Sequence, residues 1–225
     1  MKGLLITFEG MEGSGKSTQI SMLAEHLRSL GHSVRTLREP GGTPIGEEIR
    51  HTLKHSKNNT AMTPEAELLL MNASRAQLVR EVIRPALAKG EIVLCDRYYD
   101  STTAYQGYGR QLDLSIVKVA IEVAVGETRP DLTLLLVVPR EVSEQRRIAR
   151  QPTLPLHLQR DRMEEVDHSF SERVAHGYQA IVAAEPQRFC CIDAVGKTEQ
   201  IQAAIWQAVG PVLKRRPVRG AKTVA

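Results

Sequence analysis

Short apolar runs alternate with amphipathic stretches along most of the 225 residues. Gly3–Glu9 is an apolar run that stops at an acid and leads into a glycine-rich turn. From Lys16 to Leu30 the apolar positions Ile20, Leu23, Ala24 and Leu27 recur at helical spacing, and Gly31 supplies a stop. Ser33–Leu37 and Glu91–Cys95 read as strands, and Leu132–Val138 is almost continuously apolar, as a strand buried on both faces requires. Arg188–Ile192 is a fifth strand. Helices are predicted over Ile45–Leu53, Leu112–Val125, Glu141–Arg150, Asp161–Ala184 and Thr198–Leu213. Another starts at Thr63, its N-cap, with Pro64 in the first position, and runs towards Lys89 with a kink at Pro85. Between these lie breaker-rich loops at Glu39–Pro44, Lys54–Met62 and Gln151–Gln159. Strands separated by helices imply an α/β fold, with a parallel sheet covered by helices on both faces. With no repeat and no linker, residues 1–213 read as one domain and Lys214–Ala225 as a polar, disordered tail.

Composition removes several classes. The first apolar run is too short for a signal-peptide core or a membrane span, so a cytoplasmic protein without membrane partners is expected. Cys95, Cys190 and Cys191 all sit in strand-like stretches and read as buried thiols; no Cys-x-x-Cys suggests zinc. The net charge of +4 raises nucleic acid as a partner. The tail holds five cations and no acid, however, and subtracting its +5 leaves −1 on residues 1–213. The basicity belongs to the tail, and no nucleic-acid partner is expected.

The candidate chemistry starts after the first strand. Gly10-Met11-Glu12-Gly13-Ser14-Gly15-Lys16-Ser17, followed by Thr18, satisfies Gly-x4-Gly-Lys-Ser/Thr between a strand and a helix. Its glycines let backbone N–H groups turn around a phosphate, Lys16 reaches the β- and γ-phosphates, and Ser17 offers a hydroxyl to Mg²⁺. The motif indicates a nucleoside triphosphate without saying how it is used. A GTPase switch lacks its Asn-Lys-x-Asp here. An ATPase module would end an apolar strand in Asp-Glu, whereas Ile92–Cys95 ends in Asp96-Arg97. An arginine beside a strand-end carboxylate points to a second anion, which favours a small-molecule kinase. Arg38, Arg50, Arg75 and Arg97, each near an element end, would form that second site. Tyr98, Tyr99, Tyr105 and Tyr108 follow Asp96 closely, at the carboxyl end of a strand where such sheets bind ligands. Arg146, Arg147 and Arg150 fit a lid, about residues 141–162, carrying charge to a transferring phosphoryl group.

In order, Phe8-Glu9-Gly10-x-Glu12-Gly13-x-Gly15-Lys16-Ser17-Thr18, then Arg38-Glu39-Pro40-Gly41-Gly42-Thr43 with Arg50, then Asp96-Arg97-Tyr98 with Ser101-Thr102 and Ala104-Tyr105-Gln106-Gly107, resemble the three signatures of the thymidylate kinases. The resemblance covers about residues 3–210. It implies a P-loop three-layer sandwich with a five-stranded sheet and a mobile lid, ATP and dTMP as substrates, Mg²⁺, and a homodimer through Thr63–Lys89 and Leu112–Val125. It implies Lys16 and the loop amides on ATP, Ser17 and Asp96 at the metal, and Glu12 near the sugar 3′-hydroxyl. Arg97 and Arg50 fall on the acceptor phosphate, with Glu39 flanking the acceptor region. Arg75 falls on the thymine edge, Ser101 or Thr102 faces the base with Gln106 beside them, and Tyr105 stands where a 2′-hydroxyl would be. The Asp193-Ala194 turn lies near the adenine. Met71 occupies the place where members carry a Phe over the base. Gly13 stands where one branch carries an arginine, which leaves that charge to Arg146, Arg147 or Arg150 of the lid.

Overall fold

The computed structural model describes residues 3–56, 58–150 and 168–214, without the side chains of Arg147 and Arg150. Residues 151–162 of the expected lid, the start of the helix expected at 161–184, and the tail beyond Lys214 lie outside the described residues.

Five strands run parallel in the order β2-β3-β1-β4-β5. They are β1 (Leu4–Glu9), β2 (Val34–Arg38), β3 (Ile92–Asp96), β4 (Leu132–Val137) and β5 (Phe189–Asp193). Leu4 of β1 pairs with Ile92 of β3 and Ile6 with Leu132 of β4, which puts the strand-end acids Glu9 and Asp96 at one edge. Alternate residues of β1 feed opposite layers. Leu4, Ile6 and Phe8 meet α1 (Lys16–Ser29) and α9 (Thr198–Lys214). Leu5 meets the layer of α3 (Pro64–Leu78) and α6 (Leu114–Val125). Leu5, Ile6 and Phe8 are fully buried; each contributes about 2 kcal/mol. The remaining α-helices are α2 (Pro44–Lys54), α4 (Arg84–Ala88), α5 (Tyr99–Thr102), α7 (Arg140–Arg150) and α8 (His168–Ala184). Thr63 caps α3 through its hydroxyl, as expected, and Thr43 does the same for α2, which starts at Pro44 inside the stretch expected to be loop.

Three features depart from the sequence pattern. The helix kinked at Pro85 yields instead at Val79–Ile83, a stretch of π-helix between α3 and α4. Proline has no N–H and its ring crowds the preceding turn, so the hydrogen-bond ladder widens there. Residues 99–109, which carry no clear helical period, form α5 and a π-turn over Thr103–Gly109. There a Cβ on Gly109 would lie 2.7 Å from Phe170, so glycine lets α8 pack closely. Of the three thiols expected to be buried, only Cys95 is. Cys190 is half-buried and Cys191 exposed, because β5 is an edge strand with a single neighbour.

Candidate active site

The P-loop joins β1 to α1 with Gly10, Gly13 and Gly15 all at positive φ (135°, 76° and 93°). At Gly10 a Cβ would come within 2.4 Å of the Leu136 carbonyl, so no other residue fits the approach to β4. Lys16 folds back inside the loop. Its ammonium donates to the carbonyls of Gly10 (3.1 Å) and Met11 (2.9 Å) and to Ser14 Oγ (3.4 Å). Burial, then the nearby Arg97 charge, lowers its pKa to about 8. Ser17 donates to Asp96 Oδ2 at 2.8 Å, while Thr18 is exposed on the next position of α1. The hydroxyl and carboxylate are hard oxygen donors side by side beneath the phosphate loop. Among the described residues no group of three or more His, Cys, Asp or Glu gathers as a metal cage. That donor set fits Mg²⁺, which takes one or two protein oxygens and completes its shell from phosphates and water.

Facing the loop is a cleft. Glu12, Arg97 and Tyr105 line the end towards the P-loop, and Glu39, Met71 and Arg75 line it elsewhere, with Ser101, Thr102 and Gln106 on the α5 side. Residues from three separate signatures therefore converge on one space. Arg97 has a left-handed backbone (φ 68°) just past the end of β3, a conformation uncommon for a side chain of this size. Its guanidinium donates to Ser101 Oγ (3.1 Å) and the hydroxyls of Tyr105 (3.3 Å) and Tyr178 (3.4 Å), and stands 3.6 Å from Glu12 Oε2. Arg75 is held more fully. Its Nε donates to Glu39 Oε2 (2.7 Å), Nη1 to Asn72 Oδ1 and Thr102 Oγ1, and Nη2 to the Tyr98 carbonyl. Glu39 is buried, its other oxygen has no hydrogen-bond partner, and burial against the opposing Arg75 charge leaves its pKa pushed up to about 7. Gln106 donates to Glu67 Oε1, which also takes Arg110, so its amide is oriented from behind.

Some expected residues lie elsewhere. Arg38 turns out to Glu47 at the surface rather than joining a second anion site. Arg50 donates to the Pro40 carbonyl at the rim of the cleft. Arg146, one of the three arginines offered for the transferring phosphoryl, donates to the carbonyls of Ala194 and Val195, in the turn expected near adenine. The side chains of Arg147 and Arg150 are outside the described residues. Tyr98 and Tyr99 are core residues, and of the four clustered tyrosines Tyr105 alone presents its hydroxyl to Arg97.

Sequence reading missed Lys54, which lines the cleft from the end of α2, and a buried layer beneath it. Glu9 is fully buried; burial, then the Asp100 charge, raises its pKa. Asp100 and Arg188 form a buried two-pronged ion pair at 2.7 Å. An acid ending an otherwise apolar strand was the available signal for Glu9; nothing local marks Asp100, Tyr178 or Arg188.

The thymidylate kinase family model matches residues 8–205. The chain is 46% identical to a thymidylate kinase of Chlorobium luteolum over 216 residues, covering 95% of this chain and all of that one. It is 49% identical to a thymidylate kinase of Syntrophotalea carbinolica over 201 residues, 89% of this chain and 92% of the relative. The crystal structure of thymidylate kinase from Ehrlichia chaffeensis superposes with a TM-score of 0.73 at 29% identity, covering 93% of this chain and 99% of that one. With the P-loop, the Asp96-Arg97 turn and the cleft between them placed as described, the chain belongs to the thymidylate kinase family.

Proposed function

We propose that the protein transfers the γ-phosphoryl group of ATP to the phosphate of dTMP, giving ADP and dTDP, within one domain over residues 1–213. The observation that carries this reading is Arg97, held in the left-handed region with its guanidinium between Glu12 of the P-loop and Tyr105 of the cleft. A fixed fork at that point binds the acceptor phosphate bidentately and sets it towards the loop. Lys16 leaves its carbonyl partners for the donor phosphates, and Arg50 adds charge at the rim. Arg75, pinned by Glu39, meets the base edge, with Ser101, Thr102 and Gln106 beside it and Met71 across its face. Glu12 takes the 3′-hydroxyl, and Tyr105 occupies the place of a ribose 2′-hydroxyl. Ser17 and Asp96 hold Mg²⁺ with the nucleotide phosphates, and the metal supplies charge stabilisation during transfer. Arg147 and Arg150 are the lid residues assigned to the transferring group.

The coupled release of ADP, measured over dTMP, dUMP, UMP, dCMP, AMP and GMP, tests the reading. Fastest turnover on dTMP supports it, and absence of turnover with all six refutes it. A second reading, a monophosphate kinase with looser base choice, rests on Met71, since a thioether covers a base less selectively than a ring. Greater turnover of dUMP or dCMP than dTMP would establish it.

The partner assignment is a second copy of the chain. Leu69 of α3 and Ile116, Val119 and Val123 of α6 stand exposed together on one face, with Ala73 and Ala76 between them. A contiguous apolar patch of this kind is covered in solution. Light scattering after Val119→Glu reads out monomer if this face is the interface. No helix among the described residues is long and apolar enough to cross a membrane, in keeping with a cytoplasmic assignment.

A further inference from the structure

Beneath the cleft, Glu9 gathers four donors on two oxygens. Its Oε1 accepts the backbone N–H groups of Tyr98 (2.8 Å) and Ser101 (3.3 Å). Its Oε2 accepts the hydroxyls of Ser101 (2.6 Å) and Tyr178 (2.9 Å). Each hydroxyl has one proton, and both are spent on Glu9. The two oxygens, 3.1 Å apart, therefore turn lone pairs outward, and both face the same nitrogen, Arg97 Nη1 (3.1 and 3.4 Å). Glu9 thus fixes the direction in which these hydroxyls accept. Tyr178 comes from α8, 81 residues from Arg97 in sequence, and it is buried in a small core with Phe170, Val174 and Ile181. The arginine itself lies in the left-handed region at φ 68°, and its other nitrogen meets Tyr105 at 3.3 Å and Glu12 at 3.6 Å.

We infer that Tyr178 is a positioning residue for Arg97, its hydroxyl oriented by Glu9 so that the guanidinium is held at the acceptor phosphate before substrate arrives. The inference rests on the reading of Arg97 as the acceptor-phosphate residue. It gives α8 a part in the reaction without any contact to substrate. Preorganisation of this kind acts first on the acceptor, the group Arg97 is assigned to hold.

Tyr178→Phe removes one oxygen, and with it the bonds to Arg97 and Glu9, while the ring stays in its core. Two measurements are needed: the Nε–Hε signal of Arg97 by NMR of the ligand-free protein, and kcat and KM for dTMP and ATP. The expected result is a shifted or broadened Arg97 signal and a drop of about ten-fold in kcat/KM for dTMP, the scale of one hydrogen bond to a charged group. KM for ATP stays within two-fold, roughly the noise of such a comparison, and the thermal midpoint falls by only a few degrees, because buried Glu9 loses one of four donors. An unchanged Arg97 signal overturns the inference. So does a disturbed signal with dTMP kinetics unchanged, or a rise in KM for ATP that matches the rise for dTMP. If the wild-type enzyme does not turn over dTMP, the functional reading fails and the Arg97 signal alone decides whether Tyr178 positions it.

Discussion

Glu39 lets a single carboxyl be followed through the stability of the whole protein. It is 5% exposed, its Oε1 is unpartnered, and its pKa lies at about 7 against an ordinary 4.5. Burial raises it, and Arg75 at 2.7 Å only partly offsets this. Between those two values the native state keeps a proton that the unfolded chain has lost. Stability conferred by this group is therefore complete below about pH 4.5 and falls as pH rises through 7. A gap of 2.5 units corresponds to about 3 kcal/mol in all, most of it lost between pH 5 and 7. Glu39→Gln keeps the shape and abolishes the titration. Urea unfolding of both proteins at pH 5, 6, 7 and 8 should show the wild type losing about 2.5 kcal/mol relative to the variant across that range. Glu9 and Asp100, whose pKa values are also raised, slope the same way in both proteins and cancel in the difference. Parallel curves would refute the reasoning, because they would mean that Glu39 is ionised in the native state throughout.

Lys16, with its pKa lowered to about 8, should take up a proton when ATP phosphates replace its carbonyl partners. Calorimetry at pH 8.5 in two buffers of different ionisation heat reads this directly, and zero uptake counts against it. Arg188→Met leaves Asp100 buried without its partner; the cost should be about 3–5 kcal/mol, measured by urea unfolding, with part of it recovered on adding Asp100→Asn. Met71→Phe should lower KM for dTMP more than for dUMP if position 71 covers the base; equal KM values would make it a packing residue. Removing divalent metal with a chelator should abolish turnover, and Mg²⁺ should restore it, through Ser17 and Asp96.

The layered sheet was legible because its signal is local: apolar runs of strand length, glycine turns and the Thr63-Pro64 helix start each lie within a few neighbouring residues. The P-loop was legible for the same reason. The clamp on Arg75 was not, since Glu39 lies 36 residues from it and nothing in either segment announces the pair. The same holds for Glu9 and Tyr178, 169 residues apart, which meet only because α8 packs against the π-turn. Arg146 was assigned by charge and by its place in a basic helix. Its target depends on how α7 is rotated about its axis, which a run of exposed charges does not encode. Cys191 misled for a related reason: an apolar strand looks alike in the centre and at the edge of a sheet until its neighbours are known.

Gly13 carries a consequence for how this enzyme could have been assembled differently. A Cβ at that position would lie 2.5 Å from the Ser143 carbonyl on α7, while Ser143 also donates to the Glu12 carbonyl at 2.5 Å. The phosphate loop and α7 are therefore seated flush against each other with no space for a side chain between them. An arginine grafted at position 13 would have to push away the helix that carries Arg146, Arg147 and Arg150. A loop-borne charge and this seating of α7 exclude one another. In this arrangement the glycine can be lost only if α7 is seated further from the loop.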